Sequence, residues 1–257
     1  MYEQWRLGRC ELKPAPRTGL QLSFTGHTRY VRVFQSAFPL PTRWYGPYEA
    51  WADEFNSVLY VQNVEESALR TLVSFTQESL LIPTPLDECW CLDGHMAEEG
   101  RTRTGNLVYR GKTYGAKRGE KHAAEELSSS MAAQFVKHPR IRKADAVLSV
   151  PANPPKNPHN LPTVLAKALA NRVGLPLRDE LLVKDRPSPQ LKNLANPEKL
   201  EALRGAYSVT ETLTGLSLVL VDDLVRSGST LGHLGHLLKE AGAATVIGVA
   251  ATKTMRT

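Results

Sequence analysis

Apolar and polar positions change their rhythm near the middle of this 257-residue chain. Up to about Thr104, the short alternating stretches "LQLSF" and "YVRVF" read as half-buried strands. A segment punctuated by Pro39, Pro41 and Pro47 follows, then a strand-like "VLYVQNV" and a helix-like "EESALRTLVSFTQE". From about Gly105 the pattern is more regular. "HAAEELSSSMAAQFVKH" has helical spacing, and "AVLSV" is a short apolar run of the kind a buried strand shows. "PTVLAKALANRVG" reads as a helix opened by Pro162 and stopped by Gly174, and "TVIGVAA" as a last strand. The run Leu218 to Val221 suits a strand buried on both faces, which Asp222 and Asp223 end. The helix after it places Leu231, Leu234, Leu238 and Ala241 on one face, with Gly242 at its end. Alternating strands and helices predict an α/β fold: a Rossmann-like parallel sheet with helices on both faces and ligands at the carboxyl ends of its strands. A smaller mixed α/β domain is expected before it, over residues 1–104, with the second domain over 105–257.

Three loops follow strands at that edge. The first, "PANPPKNPHN", is rigid and contains Pro151, Ala152, Asn153 and Lys156, whose charge suits a phosphate. The second, Lys184 to Gly205, is long and polar, with Lys184, Arg186 and Gln190 in its first part, and reads as a lid; a short helix is expected inside it, capped by Asn196 and started by Pro197. The third runs from Val225 through Arg226, Ser227, Gly228 and Ser229 to Thr230. Its backbone N–H groups and hydroxyls, at the start of a helix, suit a phosphate. Asp222 and Asp223 just upstream would repel that phosphate and suit neutral hydroxyls instead, so a ribose phosphate is the implied ligand. The bland alternative is a strand end whose carboxylates cap the next turn. A phosphorylation-receiver domain also gathers acids after a strand, but places its modified aspartate well before the last 34 residues.

"LVLVDDLVRSGST" resembles the phosphoribosyl-pyrophosphate signature of type I phosphoribosyltransferases. "NLPTVLAKALANRVGLPL", "SPQLKNL" and "EALRGAYSV" are similar, in order and spacing, to the competence protein F (ComF-like) branch, which is related to amidophosphoribosyltransferase; the resemblance covers about Asn106 to Thr257. It implies that Asp222 and Asp223 meet the ribose hydroxyls and carry the catalytic role, that residues 225–230 hold the 5′-phosphate, that "SVPANPPK" is the pyrophosphate loop and that the Lys184–Gly205 segment is the mobile cover. It further implies a cytoplasmic glycosyltransferase of nucleotide metabolism, using magnesium carried chiefly by substrate oxygens. The phosphoribosyl group would go to a nitrogen acceptor. The branch opens with a four-cysteine zinc ribbon and carries an Arg-Gly-Phe-Asn-Gln-like run; this chain has three cysteines in all and "NPHNL" in place of that run, keeping Asn160.

Charge and cysteine usage modify that picture. The net charge is +6, and the excess lies in one stretch: Arg101, Arg103, Arg110, Lys112, Lys117, Arg118 and Lys121 against Glu120 alone, after an acidic run from Asp87 to Glu99. The reversal near Gly100 suggests a domain edge, and the basic run suits a polyphosphate, DNA or a solvated face. It supports a second reading, a degenerate domain that senses phosphoribosyl pyrophosphate or a nucleotide and works with DNA or a DNA-processing protein. A homodimer fits either reading. Cys10, Cys89 and Cys91 read as idle thiols; with His95 the C-x-C pair is a weak metal signal. Trp44, Tyr45, Tyr48 and Trp51 read as packing. No apolar stretch is long enough to span a membrane, and the start lacks the apolar segment of a secretory signal, so a cytoplasmic location without a membrane is expected.

Overall fold

A computed structural model describes residues 2–15, 19–38, 42–45, 55–112, 120–152, 160–186, 198 and 202–255. By contact the chain divides into Met1–Leu81 with Lys137–Arg140, and Ile82–Val136 with Ile141–Thr257. The first unit contains β1 (Cys10–Ala15), β2 (Gly19–Phe24), α1 (Arg29–Ala37), β3 (Thr42–Tyr45), β4 (Ser57–Gln62), α2 (Glu66–Glu78) and β5 (Leu80–Leu81). Strands β1 to β4 form an antiparallel sheet in the order β1-β2-β4-β3.

One expectation fails here. "YVRVF" lies in helix α1, where Tyr30, Val31, Val33, Phe34 and Ala37 are buried. Their spacing is that of one helix face, and five residues are too few to separate a period of two from one of 3.6. Trp44 lies on the edge strand β3 with 38% of its surface exposed; Tyr48 and Trp51 lie outside the described residues.

The second unit begins with β6 (Glu88–Gly94), the hairpin β7 (Met96–Ala97) and β8 (Gly100–Arg101), then α3 (Arg103–Gly111) and α4 (Glu120–Phe135). After the one-turn α5 (Pro139–Arg142) come β9 (Ala146–Ser149), α6 (Leu161–Val173), β10 (Leu182–Lys184), β11 (Tyr207–Val209), β12 (Ser217–Val225), α7 (Ser229–Glu240) and β13 (Thr245–Lys253). Strands β6-β13-β12-β9 lie side by side, all parallel. The fold is therefore α/β on a parallel sheet. Leu218, Val219, Leu220 and Val221 of β12 are fully buried, as a strand between two neighbours in a covered sheet must be. The division by contact falls after Leu81, ahead of the charge reversal, because the acidic stretch supplies β6, which pairs with β13 from Glu88↔Ile247 to Gly94↔Lys253.

Glycines let the segment ahead of β6 press onto α7 and the sheet. A Cβ on Gly235 would come within 2.0 Å of Leu86 Cδ2, and one on Gly248 within 2.6 Å of Leu86 Cδ1 and 3.3 Å of Cys89 Sγ. Leu86 thus fills the space between two missing side chains. Gly248→Leu is expected to cost about 1–3 kcal/mol through overpacking, and the added change Leu86→Ala to recover part of that. Urea denaturation checks both; a Gly248→Leu protein as stable as wild type would show that the space is not filled.

Candidate functional site

The acidic pair does not end its strand. Strand β12 continues through Val225, with Asp222↔Ala250, Leu224↔Thr252 and Val225↔Lys253 in register with β13. The two carboxylates are adjacent on the strand, and the Lys112 charge acts on both. Asp223, 9% exposed, receives the Lys112 ammonium at 3.0 Å from the residue that caps α3. Asp222 Oδ1 accepts the Asp223 backbone N–H at 2.8 Å. Its carboxyl is pushed up from the usual carboxylate range by burial first and by the neighbouring Asp223 charge second, with Lys112 opposing both.

The loop after the pair turns at Gly228, whose φ of 79° is left-handed and which caps the N-terminus of α7. Ser227 Oγ and Ser229 Oγ lie 2.8 Å apart, and the Gly232 N–H donates to the Gly228 carbonyl at 2.8 Å. Beyond it, the Thr254 N–H donates to the Val225 carbonyl at 2.9 Å, while the Thr254 hydroxyl is buried with no hydrogen-bond partner among the described residues. Lys253 Nζ donates to the Arg226 carbonyl at 2.8 Å, fixing the loop's first turn. The opening turn of α7 directs backbone N–H groups and positive dipole toward this loop, an arrangement that fits an anion.

Pro151 and Ala152 follow β9 at the same sheet edge; Asn153 and Lys156 lie outside the described residues. The loop's two ends are held by side chains: Asn160 Nδ2 donates to the Val150 carbonyl at 3.2 Å and to Thr163 Oγ1 at 3.0 Å, and the Ser149 N–H donates to Asp179 Oδ1 at 2.6 Å.

The Lys184–Gly205 segment rises from a stem. Strands β10 and β11 pair antiparallel, Leu182↔Val209 to Lys184↔Tyr207, and Arg186 Nη2 donates to the Arg204 carbonyl at 2.6 Å. Lys184 is buried there, donating to the Tyr207 hydroxyl at 3.2 Å; burial pulls its ammonium below the usual range. Gln190 and the helix expected after Asn196, apart from Glu198, Ala202 and Leu203, lie outside the described residues.

Two residues that the sequence names only in other roles, in the basic run and beside the C-x-C pair, stand at this site. Three members of the basic stretch are taken up by ion pairs, Lys112 with Asp223, Arg103 with Glu126 and Lys121 with Glu125; Lys117 and Arg118 are outside the described residues. Lys112 therefore belongs to the acidic pair, and only contact across some 110 residues of sequence reveals it. The second is His95, one residue past β6 at the same carboxyl edge, with Nδ1 3.1 Å from Thr252 Oγ1. Cys89 and Cys91 are buried, and burial pushes both thiols up, Cys89 to about 12. Among the described residues no three His, Cys, Asp or Glu side chains converge on one point, and no helix is long and apolar enough to cross a membrane.

Residues 163–255 match the model of the phosphoribosyl transferase domain. DNA utilization protein YhgH from Salmonella typhi and its counterpart from Salmonella typhimurium are each 30% identical to this chain over 87 residues, 34% of this chain and 38% of theirs. The match thus spans well under half of those relatives. Among solved structures, a purine phosphoribosyltransferase from Pyrococcus horikoshii is 16% identical, covering 52% of this chain and 84% of its own with a TM-score of 0.34. The glutamine phosphoribosylpyrophosphate amidotransferase of B. subtilis is 14% identical, covering 90% and 46% with a TM-score of 0.37. The acidic pair, its loop and α7 all lie inside the stretch that matches the phosphoribosyl transferase domain.

Proposed function

We propose that this protein binds phosphoribosyl pyrophosphate and transfers its phosphoribosyl group to a nitrogen acceptor, releasing pyrophosphate. The observation that carries the reading is the run from Asp222 to Thr230: two carboxylates at the carboxyl end of an inner strand, then a loop turned at Gly228 into the N-terminus of α7. In this reading Asp222 and Asp223 accept hydrogen bonds from the ribose hydroxyls, and residues 225–230 hold the 5′-phosphate on backbone N–H groups and hydroxyls. The stretch from Pro151 through Asn153 to Lys156 takes the pyrophosphate. The segment carrying Lys184, Arg186 and Gln190 covers the site. Magnesium takes hard oxygen ligands and enters as part of the substrate, on the oxygens of the pyrophosphate.

Chemistry at C1 of the ribose then rests on position and charge. As the bond to pyrophosphate lengthens, positive charge develops on the sugar ring, and the carboxylates below it stabilise that charge more than they stabilise the ground state. Water is excluded when the cover closes.

Magnesium-dependent pyrophosphate release from phosphoribosyl pyrophosphate, assayed with adenine, hypoxanthine, orotate and ammonia as acceptors, tests the reading, alongside calorimetric titration of the ligand. Release with at least one acceptor is expected. Tight binding with no release from any of them would select instead the binding module that senses the ligand and acts with DNA or a DNA-processing protein. Limited proteolysis should cut between Lys184 and Arg204 in the free protein, and phosphoribosyl pyrophosphate with magnesium should suppress those cuts. Identical cleavage in both conditions would remove the lid.

A further inference from the structure

Transfer to a neutral nitrogen leaves a proton to be removed. None of the side chains from Val225 to Thr230 is a base near neutral pH, and in the proposed reading Asp222 and Asp223 are occupied by the sugar. Lys253 is spent on the Arg226 carbonyl, Lys184 on Tyr207, and Asp93 on Thr104 Oγ1 at 3.3 Å and the Gly94 N–H at 2.8 Å.

His95 is placed differently. Its backbone N–H donates to the Lys253 carbonyl at 2.8 Å, its carbonyl accepts the Thr102 N–H at 3.3 Å, and a Cβ on Gly105 would come within 2.1 Å of that carbonyl oxygen. β13 and the start of α3 therefore lock its position. Its ring Nδ1 is held by Thr252 Oγ1, while Nε2 makes no hydrogen bond among the described residues. When Nδ1 donates to Thr252, Nε2 is left with the lone pair.

We infer that His95 is the general base of the transfer, resting on the reading above: as the acceptor nitrogen bonds to C1 and the C1–oxygen bond breaks with its electron pair leaving on pyrophosphate, the nitrogen's proton passes to His95 Nε2. The surroundings favour an imidazole that is neutral before the step. Burial lowers its pKa from the usual 6.5, and the charges of Arg101 on β8, Lys112 at the end of α3 and Arg226 in the phosphate loop lower it further, against Asp223 of β12. Arg101 is itself stacked over the Tyr109 ring at 4.0 Å, which holds its charge near the hairpin. The class of acceptor that this arrangement serves is an amine or ring nitrogen bearing a hydrogen, presented beside the ends of β6 and β13.

His95→Gln tests this with the same four acceptors, at saturating phosphoribosyl pyrophosphate and magnesium so that binding does not limit the rate. The expected result is unchanged calorimetric affinity for the ligand, a fall in kcat on the order of a hundredfold or more, and partial recovery on adding imidazole. The wild-type kcat should fall below a pKa under 6.5, and the variant should lack that acid limb. A variant that keeps the wild-type rate and acid limb overturns the inference while leaving the proposed reaction standing. Ligand binding without pyrophosphate release by the wild type overturns the inference and the transfer reading together; absence of ligand binding removes the site reading itself.

Discussion

Asp222→Asn should raise the thermal stability of the free protein at pH 7–8, and Asp222→Asn combined with Asp223→Asn should abolish tight binding of phosphoribosyl pyrophosphate. Both effects follow from one cost. Burial and the Asp223 charge raise the Asp222 pKa above its ordinary 3.8 in the folded state, so the fold favours the protonated form. The linked stability is complete below about pH 3.8 and is lost as pH rises through the raised folded value. Asparagine keeps the oxygen that accepts the Asp223 N–H and removes the charge. The gain should be at least about 1 kcal/mol, or roughly 2–4 °C in Tm for a domain of this size, and should vanish below about pH 4.

Binding moves the opposite way. Each charged acceptor lost from a sugar hydroxyl is worth on the order of 1.5–3 kcal/mol, so the double variant should bind a hundredfold or more weakly. Glu125→Gln, on an exposed residue paired with Lys121 at 3.6 Å, is the control. Asp179, outside all three loops in sequence, does not serve as one, because its carboxylate holds the Ser149 N–H just ahead of the pyrophosphate loop. Calorimetry and differential scanning measure both properties. Undiminished binding would make the pair a structural cap, and a lower Tm for Asp222→Asn would refute the burial argument.

What the sequence reveals of this site is what it keeps local. Strand, acids, loop and helix occupy one stretch of about two dozen residues, and the apolar run, the left-handed glycine and the helix face each leave a mark on neighbouring positions. The partners that complete the site are remote. Lys112 reads in sequence as one charge in a basic run, and only the packing of α3 brings its ammonium onto Asp223. β6 is hidden because "ECWCLDG" carries two acids and no alternation, although its pairing with β13 across about 160 residues buries Cys89, Trp90 and Cys91. His95 follows from β6 and is unreadable without it. The failure at "YVRVF" has another cause, since valine favours strands locally and the buried face of α1 overrode that preference.

Gly228→Val should remove ligand binding for a reason separable from its effect on stability. A β-branched residue at φ 79° is strained by roughly 1–2 kcal/mol, and a Cβ there would stand 3.0 Å from Thr84 Cγ2, so the turn must shift. Gly174, which ends α6 at φ 73° with nothing within 4 Å of an added Cβ, supplies the matched comparison. Gly174→Val carries the same backbone strain without the contact and away from the loop. Both variants should lose about 1–2 kcal/mol of stability, with a further increment at Gly228 from the contact. Only Gly228→Val should lose affinity, because the backbone donors of residues 225–230 no longer converge on one phosphate, and two charge-assisted hydrogen bonds are together worth about 3 kcal/mol or more. The loss should extend to ribose 5-phosphate, which has the 5′-phosphate and hydroxyls but no pyrophosphate. If Gly228→Val bound ribose 5-phosphate as well as Gly174→Val does, the loop would not be the phosphate cradle, and the 5′-phosphate would have to be placed elsewhere on the sheet edge.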